Sequence, residues 1–335
     1  MEQTVRYSVI VPVYNRPEEV RELLESLAAC ACPAMEVLIV EDGSSLPCAD
    51  VVQRFKDRLA IQYFVKPNSG PGQTRNFGAQ HARGEFLIIL DSDVMVPPGY
   101  FDAVTRELDR QDTDAFGGPD RSHPDFTPVQ KAISYAMTSF FTTGGIRGGH
   151  KRLDKFYPRS FNMGIRRTVF DALGGFSRMR FGEDIDLSIR IFQGGYRCRL
   201  FPQAWVWHKR RTDLRKFFRQ VHNSGIARIQ LYKKYPDSLK LVHLLPALFT
   251  VGCAILLIAT CFWPWAILPL LLYAGAILVD ASLREGSLRV GLLAVAASFV
   301  QLTGYGTGFL RAWWIRCVRG KDTDDLQAFR KNFYQ

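Results

Sequence analysis

The chain has 335 residues, of which 47% are hydrophobic and 22% are charged, and its formal net charge is +11. This length allows one or two hydrophobic cores, and the composition excludes an intrinsically disordered chain and a small disulfide-stabilised scaffold. The charges are unevenly distributed, because residues 241–279 and 290–310 contain no Asp, Glu, Lys or Arg.

Short apolar runs rich in β-branched residues predict four buried strands in the first ninety residues, separated by helical patterns. Strands and helices that alternate are typical of βαβ units, so the sequence predicts an α/β fold with a mostly parallel sheet flanked by helices. The predicted strands cover 7–13, 36–40, 61–65, 85–90 and 197–201. One predicted helix begins at Pro17, and the other predicted helices cover 51–59, 73–83, 169–173 and 183–192.

Acidic side chains follow two of the predicted strands. Asp42 comes after the second strand, and Asp91-Ser92-Asp93 comes after the fourth. In open α/β sheets the ligand lies beyond the carboxyl ends of the strands, so these residues are predicted to face one cleft. Two carboxylates at such a turn can bind a divalent cation together with a ribose or a phosphate. Asp42 can accept hydrogen bonds from a nucleobase, or it can serve only in an Asx-turn.

Three further positions carry groups suited to this chemistry, and each has a structural alternative. Arg75 follows a Gly-Pro-Gly loop and can offer its charge to a diphosphate, or it can form a surface salt bridge. In the pair Glu183-Asp184, a carboxylate can take a proton from an attacking hydroxyl, or it can be a helix N-terminal acid favoured by the dipole. His208 follows a short strand and is either a metal ligand or a structural histidine.

Other kinds of site are excluded by the motifs. The turn after the first strand lacks the glycines of a dinucleotide fingerprint or a phosphate loop, and no Ser or Cys nucleophile motif is found. Glycines and basic residues predict a mobile loop over 142–160. The seven cysteines predict reduced thiols. No signal peptide precedes the first strand, which predicts that the catalytic domain is cytoplasmic.

Six stretches of the sequence, in the same order, resemble the family 2 glycosyltransferases, which have the GT-A nucleotide-sugar fold. The resemblance covers about residues 7–235 and implies inverting transfer of a sugar from a nucleotide-sugar donor. The matching stretches are SVIVPVYNR (8–16), EVLIVEDGS (36–44), GPGQTRNFGAQHARGEFLIILDSDV (70–94), FNMGIRR (161–167), GGFSRMRFGEDIDLSIR (174–190) and the region of His208.

The resemblance also implies roles for single residues. Asp184 is the implied general base, with Asn162 and Glu183 as candidates on the acceptor side. The implied ligands of a Mg²⁺ or Mn²⁺ ion are Asp93 and His208. The implied donor-binding residues are Pro12, Tyr14, Arg16, Asp42, Arg75, Asp91 and Ser92.

A basic segment precedes the first uncharged run. Residues 205–240 contain ten lysines and arginines against two aspartates, a net charge of +8. Such a segment beside a membrane helix is attracted to anionic lipid and marks the cytoplasmic side. A nucleic-acid partner is not expected, because no nucleic-acid-binding module is found. The predicted domains are a catalytic domain (1–208), a basic amphipathic juxtamembrane segment (209–240), two or three membrane helices (241–311) and a basic tail (312–335).

The number of membrane spans is left open by the uncharged runs. Since a span needs about 20 apolar residues, 241–279 fits two short spans that meet near 263–265. Residues 290–310 are long enough for a third span but are less apolar. Arginines flank both ends of that segment, so the positive-inside rule favours two spans with an interfacial third segment.

The predicted acceptor is a lipid-linked or cell-surface glycan, and the predicted location is the cell (inner) membrane. A polyprenyl-phosphate sugar transferase is the alternative, since such enzymes also join this domain to C-terminal spans. A non-catalytic nucleotide-binding membrane scaffold is the alternative from another class. The acids at positions 91, 93 and 184 favour an enzyme, because a scaffold has no need of them.

Overall fold

The computed structural model describes residues 5–30, 32, 34–143 and 156–321. They form two compact units, of which the first contains the described residues up to 121 together with 156–208. The second contains 122–143 and 209–321. Residues 144–155 of the predicted loop and 322–335 of the predicted tail lie outside the described residues.

Strands and helices are numbered here in chain order. The strands are β1 (Tyr7–Val13), β2 (Met35–Asp42), β3 (Ile61–Lys66), β4 (Phe86–Leu90), β5 (Val94–Met95), β6 (Ala115–Gly117), β7 (Asp120–Arg121), β8 (Asn162–Arg166), β9 (Cys198–Leu200) and β10 (Val206–His208). The α-helices are α1 (Pro17–Ala29), α2 (Ala49–Gln53), α3 (Pro71–His81), α4 (Tyr100–Arg110), α5 (Pro128–Thr138), α6 (Phe140–Thr143), α7 (Arg167–Ala172), α8 (Glu183–Gln193), α9 (Leu214–Lys234), α10 (Leu245–Thr260), α11 (Leu268–Glu285) and α12 (Leu288–Trp313).

The first unit is built on a seven-stranded sheet in the order β3-β2-β1-β4-β8-β6-β9. Its first four strands are parallel, and β8 is antiparallel to both of its neighbours. This confirms the predicted mixed, mostly parallel sheet flanked by helices. Because neighbouring parallel strands end at one edge, the carboxyl ends of β1, β2 and β4 lie side by side.

The central strands are buried along their whole length, as the continuous apolar runs predicted. Helix α1 covers the sheet with Val20, Leu23, Leu24 and Leu27, which are all fully buried. These residues recur at helical spacing, and Pro17 occupies the first turn, where its missing N–H costs no hydrogen bond.

Two parts of the first unit differ from the prediction. The helix predicted over 51–59 ends at Gln53, and tight turns continue the chain, with Arg54 N–H donating to Val51 O and Phe55 N–H to Val52 O. No element was predicted between residues 91 and 121, where the structure has β5, β6, β7 and α4. Strands of two or three residues are too short to show a period in the sequence.

A second sheet of three short strands places His208 beside the β4–β5 turn. Strand β10 lies between β5 and β7, and His208 pairs with Val94 in an antiparallel register. Since Asp93 immediately precedes Val94, this pairing brings a histidine and an aspartate together that are 115 positions apart in sequence.

Glycines permit a close approach of α9 and α12 in the second unit. A Cβ atom on Gly308 would lie 2.1 Å from His222 O, and one on Gly225 would lie 2.2 Å from Tyr305 O. Both distances are far below van der Waals contact, so these positions admit only glycine at this helix spacing.

A hydrogen bond joins two further helices of the second unit. The Tyr135 hydroxyl of α5 donates to Asp280 Oδ2 of α11 at 2.6 Å.

Two helical segments of the second unit are long and apolar enough to cross a membrane, namely Pro264–Glu285 and Leu288–Val318. Helix α10 is also apolar but has only 16 residues. Residues 241–279, predicted to hold two short spans, contain α10 and the first part of α11, and 290–310, predicted to lie at the interface or to form a third span, lie within the longest helix, α12. Many large apolar side chains on α10 and α11 are exposed, among them Leu248, Ile258 and Leu272.

Candidate active site

Three potential metal ligands meet at the carboxyl end of β4. Asp91 and Asp93 lie in the turn after β4, and His208 is the last residue of β10. One ligand atom from each residue lies within 4.8 Å of the other two, and His208 Nε2 is 3.3 Å from Asp93 Oδ1. Carboxylate oxygens combined with an imidazole nitrogen suit Mn²⁺ and related divalent ions, so the three side chains fit a divalent cation.

The orientation of the His208 ring is set by its neighbours. The ring stacks on Phe161, with 4.9 Å between ring centroids and 29° between ring planes. Its Nδ1 atom is buried and has no hydrogen-bond partner among the described residues. Stacking and the β10–β5 pairing therefore direct Nε2 toward the two aspartates. Ser92, between the aspartates, is buried in the turn.

Arg75 joins two acids of the predicted site. Its guanidinium donates to Asp91 Oδ1 at 2.7 Å and to Glu183 Oε1 at 2.9 Å, and it lies 5.3 Å from the centre of the Phe176 ring. The residue is 3% exposed, so the alternative of a surface salt bridge is wrong. Burial raises the pKa of Glu183 and the charge of Asp184 adds to that effect, while the charge of Arg75 opposes it.

Arg16, which lies between β1 and α1, reaches the same turn. Its Nη1 donates to Asp93 Oδ2. The preceding residue, Asn15, has a φ of 53°, and its Oδ1 accepts from Leu46 N–H at 2.9 Å. This bond holds the left-handed turn that carries Arg16 and the half-buried Tyr14. Pro12 was predicted to bind the donor, but its side chain is buried within β1.

Asp42 lies at the predicted strand end, but its carboxylate points into the protein interior. Its carboxylate is fully buried and pairs with Lys66 Nζ at 2.6 Å. It also accepts from the backbone N–H groups of Ser69 and Gly70, both at 2.8 Å. Three donors thus hold this carboxylate against the loop that precedes α3. In this arrangement the Asp42 carboxylate has no exposed surface for the predicted contact with a nucleobase.

Asp184 lies in the first turn of α8, after Gly182 with a φ of 82°. One carboxylate oxygen pairs with Arg159 Nε at 2.7 Å, and the other accepts from Ile185 N–H at 2.8 Å. Each carboxylate oxygen has two lone pairs, so both oxygens keep the capacity to accept a further proton or hydrogen bond. Glu183 and Asp184 are both buried, and the helix N-terminus favours their negative charge.

Asn162 was predicted to lie on the acceptor side, and its contacts contradict this. The side chain is 1% exposed. Its Oδ1 accepts from the Tyr100 hydroxyl at 2.7 Å, and its Nδ2 donates to Ala204 O at 2.7 Å. The amide group is therefore used within the fold, where it links β8 to α4 and to the segment before β10.

Replacing Asn162 by alanine is expected to lower the free energy of unfolding by about 3 kcal/mol, because it leaves the buried Tyr100 hydroxyl and Ala204 carbonyl without partners. Urea unfolding of the two proteins, followed by tryptophan fluorescence, measures the difference. An N162A protein with an unchanged unfolding midpoint would contradict the structural role.

Two residues that contact the predicted site were not identified from the sequence. Arg159 lies within the predicted loop of 142–160, and no motif surrounds it. Lys66 ends β3, and a basic residue at the carboxyl end of a parallel strand is a signal that could have identified it. Both contacts join segments far apart in the chain, so neither has a fixed spacing in sequence.

Comparison with known proteins identifies the family. Residues 8–174, about half of the chain, match the family model described as glycosyl transferase family 2. Over 235 residues the chain is 25% identical to the probable glycosyltransferase YdaM of Bacillus subtilis, covering 66% of this chain and 54% of that protein. The chain spans about half or less of the length of the curated relatives it matches.

Solved structures share the fold. The mannosyltransferase PcManGT of Pyrobaculum calidifontis, in complex with GDP-Man and Mn²⁺, has a TM-score of 0.65 at 19% identity, over 93% of this chain and 88% of that one. S. aureus TarS 1-349, in complex with UDP-GlcNAc, has a TM-score of 0.50 at 17% identity, over 96% of this chain and 93% of that one. The solved structures share the GT-A-like sheet, and the matched family model shows that the chain belongs to glycosyl transferase family 2.

Proposed function

We propose that the enzyme transfers a sugar from a nucleotide-sugar donor to a hydroxyl of a lipid-linked or cell-surface glycan, with inversion and with a divalent cation. The meeting of Asp91, Asp93 and His208 at the carboxyl end of β4 carries this proposal. Two solved relatives of the same fold bind nucleotide sugars, and one of them binds Mn²⁺ as well. A cation held there would act as a Lewis acid that stabilises charge on the leaving diphosphate.

The side chains around this cluster have complementary tasks. Arg16 and Arg75 place two positive charges beside the aspartates, where guanidinium groups can bind phosphate oxygens in pairs. Asp184 takes the proton from the acceptor hydroxyl. The acceptor oxygen then bonds to the anomeric carbon as the bond from that carbon to the diphosphate breaks on the opposite face, so the configuration inverts.

The second unit supports a membrane location for this reaction. It has two segments long enough to span a membrane, and apolar side chains are exposed on α10 and α11. The basic residues Arg215, Lys216 and Arg219 are exposed at the beginning of α9 and suit anionic lipid headgroups. We therefore place the enzyme at the inner membrane, with the catalytic domain in the cytoplasm.

Donor binding is tested by thermal unfolding with a panel of UDP- and GDP-sugars, each with and without Mn²⁺. A donor at a hundred times its Kd stabilises the folded protein by about 2.7 kcal/mol, so the matching nucleotide sugar is expected to raise Tm by several degrees. The free sugars serve as controls and are expected to leave Tm unchanged. If no nucleotide sugar raises Tm, the proposal is wrong.

Two alternative functions, a non-catalytic scaffold and a polyprenyl-phosphate sugar transferase, give different outcomes in a transfer assay with the donor that raises Tm. A non-catalytic scaffold would bind the nucleotide sugar but release no nucleoside diphosphate in the presence of any acceptor. A polyprenyl-phosphate sugar transferase would transfer to an ionised phosphate, which has no proton to give to a base. Its activity would therefore not depend on the carboxylate of Asp184.

A further inference from the structure

We propose that Asn76 is a positioning residue for sugar transfer. By holding the backbone of Phe176 on α3, it fixes the first turn of α8, which carries Asp184, relative to Arg75 and Asp91. The inference rests on the proposed function for the role of Asp184 as the base. In the described part of the chain, the hydrogen bonds of the Asn76 amide go to Phe176 and to none of the proposed site residues, so Asn76 acts through the segment that it holds.

The side-chain amide of Asn76 binds one backbone residue through both of its polar groups. Its Oδ1 accepts from Phe176 N–H, and its Nδ2 donates to Phe176 O, both at 2.8 Å. This double hydrogen bond, called the Asn76 clamp below, has the same pattern as a hydrogen-bonded pair of antiparallel strands. It therefore fixes both the position and the rotation of the Phe176 backbone. Gln73, on the same helix, donates to the same carbonyl at 3.3 Å.

The turn before Phe176 is held from α8 as well. Arg190 of α8 donates to Leu173 O at 2.6 Å and to Gly175 O at 2.7 Å. The Asn76 clamp of α3 holds the residue that follows directly. Helices α3 and α8 are thus joined through one turn, and the clamp is the contact by which α3 holds the backbone of this turn.

Helix α3 also contacts both sides of the proposed reaction. Its Arg75 donates to Asp91 on the donor side at 2.7 Å and to Glu183 in the first turn of α8 at 2.9 Å. A Cβ atom on Gly72 would lie 3.3 Å from Glu183 Cγ, so the beginning of α8 lies directly on α3. Since Asp184 follows Glu183, the distance between the base and the donor side depends on how α8 is held on α3.

Sugar transfer is sensitive to this distance. The base must reach the acceptor hydroxyl while that oxygen faces the anomeric carbon, and a misplacement of about 1 Å can lower a rate about a hundredfold. The Arg75–Glu183 contact holds α8 by the tip of a flexible side chain, whereas the Asn76 clamp holds backbone in the segment that leads into α8. Loss of the clamp is therefore expected to lower kcat without weakening the donor contacts of Arg75.

The test compares Asn76→Ala with wild type as the full chain in detergent. The assay measures release of the nucleoside diphosphate from the UDP- or GDP-sugar that raises Tm, with a total membrane lipid extract as the source of acceptor. N76A is expected to lower kcat on the order of a hundredfold, while the Tm rise with donor stays that of wild type. A role in stability alone would lower the unfolding midpoint and leave the kcat of the folded enzyme unchanged. An unchanged kcat overturns the inference.

A double-mutant cycle with D184N shows whether the effect passes through the base. If Asn76 acts by placing the Asp184 carboxylate, N76A is expected to lower the residual transfer of D184N far less than it lowers that of wild type. An equal loss in both backgrounds overturns the inference. A D184N enzyme with normal turnover is a failure of the proposed function, whereas a large D184N loss beside an unchanged N76A is a failure of this inference alone.

Gly175→Ala and Gly174→Ala form a matched pair that leaves Asn76 in place. The two glycines have φ values of 68° and 72°, so alanine is strained to a similar extent at either position. A Cβ atom on Gly175 would lie 2.5 Å from Asn76 Oδ1, whereas one on Gly174 has no described atom within 4 Å. G175A is therefore expected to lower kcat on the order of tenfold relative to G174A. Equal kcat values would overturn the inference, even where N76A does not fold.

Discussion

Replacing Asp184 by asparagine is expected to reduce sugar transfer about a thousandfold while the affinity for the nucleotide-sugar donor stays close to that of wild type. General base catalysis contributes this order of rate enhancement, and an amide cannot take up the proton of the acceptor hydroxyl. Release of the nucleoside diphosphate at saturating donor and acceptor measures the loss. The Tm rise with donor measures retained binding.

The matched control for this substitution is Arg159→Gln. Asparagine at position 184 removes the carboxylate and also the ion pair with Arg159, whereas R159Q removes the same ion pair and keeps the carboxylate. R159Q is therefore expected to keep far more activity than D184N. Equal losses in the two variants would mean that the ion pair, and not proton removal, is what transfer requires. A D184N enzyme with normal turnover would refute the base assignment and favour a phosphate acceptor.

Replacing Gly308 by leucine is expected to destabilise the second unit by about 3 kcal/mol or more. The Cβ atom alone would lie 2.1 Å from His222 O, which belongs to the backbone of α9 and cannot rotate away. The two helices must therefore separate, and the packing of the core cluster that contains Phe309 and Ile229 would be disturbed as well. Four of the six tryptophans lie in this unit, so thermal unfolding in detergent followed by tryptophan fluorescence reports on it.

Gly252→Leu is the matched control for the packing effect. It adds the same side chain to an apolar helix of the same unit, but nothing lies within 4 Å of a Cβ atom at this position. Because leucine is the better helix former, the control is expected to keep the stability of wild type or to gain up to about 1 kcal/mol. Equal destabilisation by both substitutions would contradict the role of the close α9–α12 contact.

Several long elements of the first unit were predictable because each contains its own signal, whereas the 11-residue helix α4 was not predicted. Strand β1 was predicted at its observed bounds, since its buried run is bounded by turn residues. Helix α3 begins at Pro71, two residues before the predicted start, because proline is well placed in a first helical turn. The short strand β5 and the short strand β7 were missed, because their conformation is imposed by pairing with β10.

The residues of the candidate site also divide into those that local sequence signals predict and those whose contacts only the fold determines. Asp91 and Asp93 were predicted from the sequence because they stand together after a strand, and Asp184 because the family resemblance matches it to a general base. Asn162 was misjudged, since sequence alone does not show that Tyr100 and Ala204 use its amide. Asp42 stands at the predicted strand end, but only the fold shows that Lys66 and the loop before α3 surround its carboxylate.

The sequence by itself determined the α/β class, the apolar and basic segments after the catalytic domain and the types of chemical group available. These properties depend on composition and local period, which the chain carries in each segment. The tertiary structure alone decided which groups meet. The pairing of β10 with β5 brings His208 to Asp93, and the helix N-termini bring Arg16 and Arg75 to the two aspartates. Such contacts join residues far apart in the chain, and packing, not spacing, determines them.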